Sequence, residues 1–277
     1  MKRKQRSKRV IPGFGLTIGI TLALLGLVVI IPLASIAVSA SGLGFAEFVG
    51  IVTDRRIIDG YKVSFLCAFI AALINSFFGV VLAWVLVRYD FPLKRMVDGL
   101  IELPFAIPTA VAGIALTTLY SDNGWIGGLF AKAGIKIAYT RIGITIAMIF
   151  IGIPFIVRSI QPVLEKLDCQ YEEAAAMLGA GRMVTFFRIV LPEITPALLT
   201  GFGLAFARAI GEYGSVVFIA GNIPYKTEIA PLLIMGKLEQ FDYEGATAIA
   251  LVMLLISFFI LLLINSVQIY AGKFAGE

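Results

Sequence analysis

The stretch EEAAAMLGAGRMVTFFRIVLP, residues Glu172 to Pro192, lies between two strongly apolar segments. It holds two Glu, two Arg and three consecutive Ala, with Gly179, Ala180 and Gly181 following Leu178. It is too polar to cross a bilayer and too regular to be a slack loop. Glu172 to Leu178 consists mostly of good helix formers. Asp168 is placed to cap such a helix, Glu172 and Glu173 suit its N-terminal dipole, and Gly179 offers a left-handed stop. A second run, Met183 to Leu191, is expected to end at Pro192, giving two short helices joined at Gly179–Ala180–Gly181. The Ala side chains leave a flat face that another protein's backbone can approach. On the residues alone, a docking element, an interfacial helix and a plain connector all stay open; an interfacial helix would want a larger apolar face and more Lys or Arg.

Working outward, the rest of the chain is made for lipid. The 277 residues are 59% hydrophobic and 15% charged, with a mean hydropathy of +0.95; soluble domains carry about 25% charged residues. A crossing helix needs about 20 apolar residues. Six stretches qualify, roughly 15–40, 62–87, 98–120, 141–161, 197–220 and 245–270. The short alternating strands of a membrane barrel are missing from the pattern. The fold class expected is an all-α integral membrane bundle of six transmembrane helices. It forms a single domain, 15–270, with a loop at 162–196 and tails at 1–14 and 271–277. The N-terminal run MKRKQRSKR carries six basic residues before the first apolar stretch, which is longer than the roughly 7–15 residues of a signal-peptide core. It reads as an uncleaved first span, although VSA near residue 40 weakly resembles a cleavage site.

The net charge of +5 is spread over the ends of apolar runs, which speaks for topology and against nucleic acid. With the N-terminus in the cytoplasm, fourteen Lys and Arg fall on the inner side, including Arg88, Lys94, Arg95, Arg158, Lys166, Arg182 and Arg188. Eight fall outside and Arg208 lies within a span. Both termini and the 162–196 loop are therefore expected inside. There is no His, and Cys67 and Cys169 stand too far apart in character for a disulfide or a metal cluster, so no metal site is expected.

Two features interrupt the apolar spans. ELPFAIPTAVAG places Pro104 and Pro108 four residues apart, which breaks the backbone ladder of the third span. That break is either a simple kink or part of a span that lines a path or moves. In the fifth span Arg208 and Glu212 are four apart, on one helical face. They form either an internal salt bridge that fixes packing, or an anion-path Arg held by its Glu. Gly211 and Gly214 allow another helix to come close there.

The opening stretch also carries a resemblance. The spacing E-A-A, three residues, G, nine residues, I-x-L-P is met by Glu173, Ala174, Ala175, Gly179, Ile189, Leu191 and Pro192. This resembles the EAA signature of permease subunits of bacterial ABC importers, whose fold is the type I (MetI-like) bundle. The resemblance implies that Glu172 to Gly179, Leu178 included, contacts a separate ATPase as a coupling helix. No G-x-x-x-x-G-K-[ST] is present, so ATP and Mg would be held by that partner, with no cofactor and no catalytic site in this chain.

Further blocks resemble the oxyanion branch of these permeases, and within it the sulfate/thiosulfate permeases of the T-subunit type. They are RVIPGFGLTIG, LPFAIPTAVAGIALTTLY, FIVRSIQPVLEKLDCQYEEAAAMLGA, AFARAIGEYG, and FIAGNIPYKTEIAPLLI with LEQFDYEGATAIA. The resemblance implies a second permease subunit, two ATPase copies, a sulfate/thiosulfate-binding protein outside the membrane, and residence in the bacterial inner membrane. It makes Arg208, Glu212, Pro104 and Pro108 candidates for the path or gate, and Asn222 to Glu228 a candidate contact for the binding protein. A molybdate or tungstate permease is the nearest alternative. An ion-coupled carrier would show an internal repeat of broken helices, and none is found. A membrane enzyme would need clustered bases or nucleophiles. One paired Arg is too few donors for tight sulfate binding, so specificity is expected to rest with the binding protein.

Overall fold

A computed structural model describes residues 14–274, with side chains as far as 268. Residues 1–13 and 275–277, most of the two expected tails, lie outside it, and with them the six basic residues of the N-terminus. Every regular element among the described residues is helical. Five helices there are long and apolar enough to cross a membrane: α1 Phe14–Ser41, α3 Arg55–Arg88, α8 Arg141–Lys166, α10 Arg182–Ile210 and α13 Tyr243–Phe274. Between them lie α2 Phe45–Val52, α4 Lys94–Ile101, α5 Leu103–Ala106, α6 Thr109–Tyr120, α7 Gly127–Lys132, α9 Gln170–Met177, α11 Val216–Ile219 and α12 Ala230–Glu239.

The stretch expected as a third span, 98–120, is divided into α4, α5 and α6. The cause is local. A residue before Pro is pushed out of the helical region, and Ile107 is extended, with φ −91° and ψ 131°. The new start at Pro108–Thr109 needs no N–H from Pro.

The fifth span also differs from 197–220. Its helix begins at Arg182, runs unbroken through Pro192, and ends at Ile210. The expectation that the second short helix stops at Pro192 is overturned, because the chain widens to a π turn over Phe186–Val190 just before the proline. Leu191 N–H reaches back five residues to the Phe186 carbonyl. That relieves the clash a proline ring would make with the carbonyl four residues earlier. Helix α1 repeats the device, with a π turn over Gly26–Ile30 ahead of Pro32.

Helices α3, α8 and α10 form the centre. Small side chains let them approach closely: Ala68, Ala71 and Ala72 on α3, Ala147 on α8, and Ala205 and Ala209 on α10 are all buried. Gly79 has no room for a side chain, since a Cβ there would lie 2.5 Å from Ile156 Cγ2. Helix α13 packs along α10 and α12, and the C-terminal half of α1 lies against α13. The remaining side chains of α1, and Phe69, Phe77 and Phe78 on α3, are exposed as a lipid-facing surface would be. In the connection before α13, Lys237 Nζ donates to Asp242 Oδ2 at 2.7 Å and holds that carboxyl below the usual range.

Candidate functional site

The loop between α8 and α10 is built from the residues that opened the sequence. Asp168 does cap α9, accepting from Gln170 N–H through Oδ1 at 3.0 Å. Gly179 ends it in the left-handed region at φ +81°. The three-Ala run does not present one face. Ala175 turns inward and is buried, while Ala174 and Ala176 point out. Glu172 also turns inward, and Arg88 Nη2 donates to its Oε1 at 2.8 Å. Glu173, Gly179 and Pro192 are exposed, and Ile189 and Leu191 are half-buried in the π turn and beyond. Met177 is 90% exposed and Leu178 88%, on a polar loop where an apolar side chain gains nothing from water. Between α9 and the end of α3 opens a cleft of about 490 Å³ lined by Trp84, Arg88, Glu172, Met183 and Phe186 among others.

The second candidate constellation lies at the other end of α10. Glu212 does not continue the helix as its spacing from Arg208 implied. It sits two residues past Ile210, in a turn. The pair still forms, with Arg208 Nη1 donating to Glu212 Oε2 at 2.6 Å. Glu212 Oε1 accepts from Ser215 N–H at 2.7 Å and from Ser215 Oγ at 2.9 Å. That capture turns the chain back. The carboxylate is almost wholly buried and already holds three donors, whereas the Arg208 side chain keeps 35% exposure. The pair therefore sits toward the N-terminal ends of α3 and α8, where Ala209 and Ile210 pack with Val63, Cys67 and Ile144, and not midway along the span.

The broken third span meets this turn. A Cβ on Gly214 would lie 2.1 Å from Thr109 Oγ1, and one on Gly113 would lie 2.5 Å from the Ser215 carbonyl oxygen. The start of α6, set by Pro108, is thus pressed against the Glu212 turn. Pro104 is buried at the other end of the break. There Arg158 of α8 donates from Nη1 to Asp98 Oδ1 at 2.8 Å, and its Nη2 lies 2.7 Å from Glu102 Oε1. Asp98 and Glu102 are four residues apart, which puts both carboxylates on one side of α4 as it runs into the break.

Sequence reasoning counted Arg88 and Arg158 only as topology charges. Each in fact closes a long-range ion pair, and a partner 84 or 60 residues away leaves no local pattern. The Asn222–Glu228 segment, the candidate contact for the binding protein, is exposed from Asn222 to Lys226 and buried at Thr227 and Glu228. Glu228 is held by the Arg56 guanidinium, with Arg56 Nε donating to Glu228 Oε2 at 2.7 Å.

Residues 75–271 match the family model described as binding-protein-dependent transport system inner membrane component. The "Sulfate transport system permease protein CysT" of Salmonella typhimurium is 46% identical over 267 residues, 96% of this chain and 96% of that one. The "Probable sulfate transport system permease protein cysT" of Chlorokybus atmophyticus is 53% identical over 249 residues, 90% of this chain and 87% of the relative. In fold, a chain of a bacterial ABC transporter that imports the acidic polysaccharide alginate superposes with a TM-score of 0.76 at 16% identity, over 92% of this chain and 95% of that one. The chain belongs to the permease family of binding-protein-dependent transport system inner membrane components.

Proposed function

We propose that this chain is a permease subunit of an ATP-driven importer that carries sulfate or thiosulfate across a bacterial inner membrane, with both termini in the cytoplasm. The observation that carries the reading is α9, a short helix with Glu173, Met177 and Leu178 turned outward on a loop between two crossing helices. An apolar tip ringed by charge suits a groove on a soluble partner, and the partner implied is an ATPase bearing ATP and Mg. A second permease subunit and an extracytoplasmic binding protein complete the assembly. The substrate class rests on relatives that are named for sulfate transport and resemble this chain over nearly its whole length.

The mechanical consequence follows from α10. It starts in the coupling loop and runs without interruption to Ile210. Motion imposed on the loop by the closing ATPase is passed along one helix to the Glu212 turn and to the start of α6 pressed against it. Glu212 spends its lone pairs on Arg208 and Ser215. The path thus offers a transient anion the partly exposed face of Arg208, and specificity rests with the binding protein.

The test is uptake of labelled sulfate in a host lacking this gene, restored with the wild type or with Gly179→Asp, with membrane levels checked by immunoblot. Uptake restored by the wild type alone, and blocked by thiosulfate but not by molybdate, supports substrate and joint together. Unchanged uptake after deletion in a host without a second sulfate importer refutes the substrate, and molybdate becomes the next ligand to try.

A further inference from the structure

Helix α9 has eight residues, and Ala175 is its one buried side chain. Isolated helices shorter than about 12–15 residues are marginal in water, so contacts with the bundle must hold its direction. Those contacts converge on the last residue of α3. Arg88 Nη2 donates to Glu172 Oε1 at 2.8 Å and to the Leu167 carbonyl at 3.0 Å. Leu167 is the residue that closes α8. One guanidinium therefore joins the end of α3, the end of α8 and the first turn of α9, with a side-chain exposure of 14%. One turn back, the Trp84 ring lies 5.7 Å from Arg88 Cζ and meets Phe186 edge-on at 5.6 Å. Phe186 opens the π turn of α10. The Trp84–Arg88 pair thus touches every helix that enters or leaves the coupling loop.

We infer that Arg88, backed by Trp84, is a positioning residue for energy coupling: it locks α9 to α3, α8 and α10 so that ATPase motion moves the helices instead of slackening the loop. The inference rests on the reading of α9 as the ATPase joint. A lysine would not serve, because its point charge has no planar face to lay on the Trp84 indole.

The experiment uses the whole complex, with its ATPase and binding protein, in proteoliposomes. The readout is labelled sulfate moved per ATP hydrolysed, together with hydrolysis with and without binding protein. Arg88→Ala should keep its ATPase through purification and keep basal hydrolysis, while sulfate per ATP falls roughly two- to thirtyfold. Glu172→Gln preserves shape, avoids a folding defect and should move the ratio in the same direction. The Arg88→Ala/Glu172→Gln double variant should be no worse than Arg88→Ala alone, as partners in one interaction behave. A wild-type ratio in Arg88→Ala or Glu172→Gln, or strictly additive losses, overturns the inference. So does loss of the ATPase from the purified complex, because Arg88 would then build the docking surface and not transmit its motion. Gly179→Asp separates the two levels. If it leaves the ratio unchanged, the joint reading itself fails; if it lowers the ratio while Arg88→Ala does not, this inference alone fails.

Discussion

Gly113→Ala tests whether the divided third span is truly pressed on the Glu212 turn. The added methyl would meet Ser215 at 2.5, 2.7 and 2.9 Å, all three atoms being backbone. Ordinary contact begins near 3.4 Å, so the carbonyl oxygen must retreat by about 0.9 Å. It cannot do so freely, since Glu212 grips the same residue through its N–H and hydroxyl. Overpacking of this kind costs about 1–3 kcal/mol, and a rigid backbone partner argues for the upper half, about 2–3 kcal/mol. Replacing Gly by Ala inside a helix gives back about 0.5–1 kcal/mol. The net loss is therefore about 1–2.5 kcal/mol, or roughly 2–10 °C at 2–4 °C per kcal/mol. Gly99→Ala is the matched control. It too is helical, and a Cβ there meets nothing within 4 Å, so it should gain about 0.5–1 kcal/mol and melt slightly higher. The assay is thermal unfolding of the detergent-purified complex, followed by tryptophan fluorescence. The two variants should shift in opposite directions, and Gly113→Ala should also slow transport. Shifts of the same sign, or a Gly113→Ala protein that melts and transports like the wild type, refute the packing argument.

Two further outcomes are expected. Glu212→Gln leaves Arg208 without its counter-charge and weakens both Ser215 bonds; the loss should be about 2–3 kcal/mol, read as a lower melting temperature that Asp at the same position does not restore, because its side chain is one methylene shorter. Cys169 is exposed on the loop between α8 and α10 while Cys67 is buried. A membrane-impermeant maleimide should label Cys169 in inside-out vesicles, more slowly when the ATPase is bound, and not in right-side-out cells; labelling from outside would reverse the orientation argued above.

The crossing helices were legible because lipid demands long apolar runs, and such runs are visible residue by residue. The EAA loop was legible because its spacing is local. The divisions were harder. Hydropathy registers polarity and not backbone conformation, so Leu103 to Tyr120 reads as apolar throughout although Ile107 is extended. The turn after Ile210 was hidden in the same way, since Gly211, Tyr213 and Gly214 do not depress an apolar average. Pro192 looked like a stop because a proline clashes with an α turn, and the π turn that removes the clash depends on the helix being held at both ends. The inward direction of Glu172 was beyond local reading altogether. Its partner lies 84 residues away and comes near only when α3 and α8 pack side by side.

The paired π turns also bear on how this chain tolerates changes of length. A π turn is an α-helix carrying one surplus residue, absorbed within a single wide turn. Phe186–Val190 and Gly26–Ile30 each hold such a surplus immediately ahead of a proline. Deleting one residue there, with the proline replaced, would return the turn to regular winding and leave every face upstream and downstream where it was. The same deletion two turns further along α10 would swing Arg208 by about 100° about the helix axis. In the currency of insertions and deletions, these two turns are the expansion joints of the crossing helices.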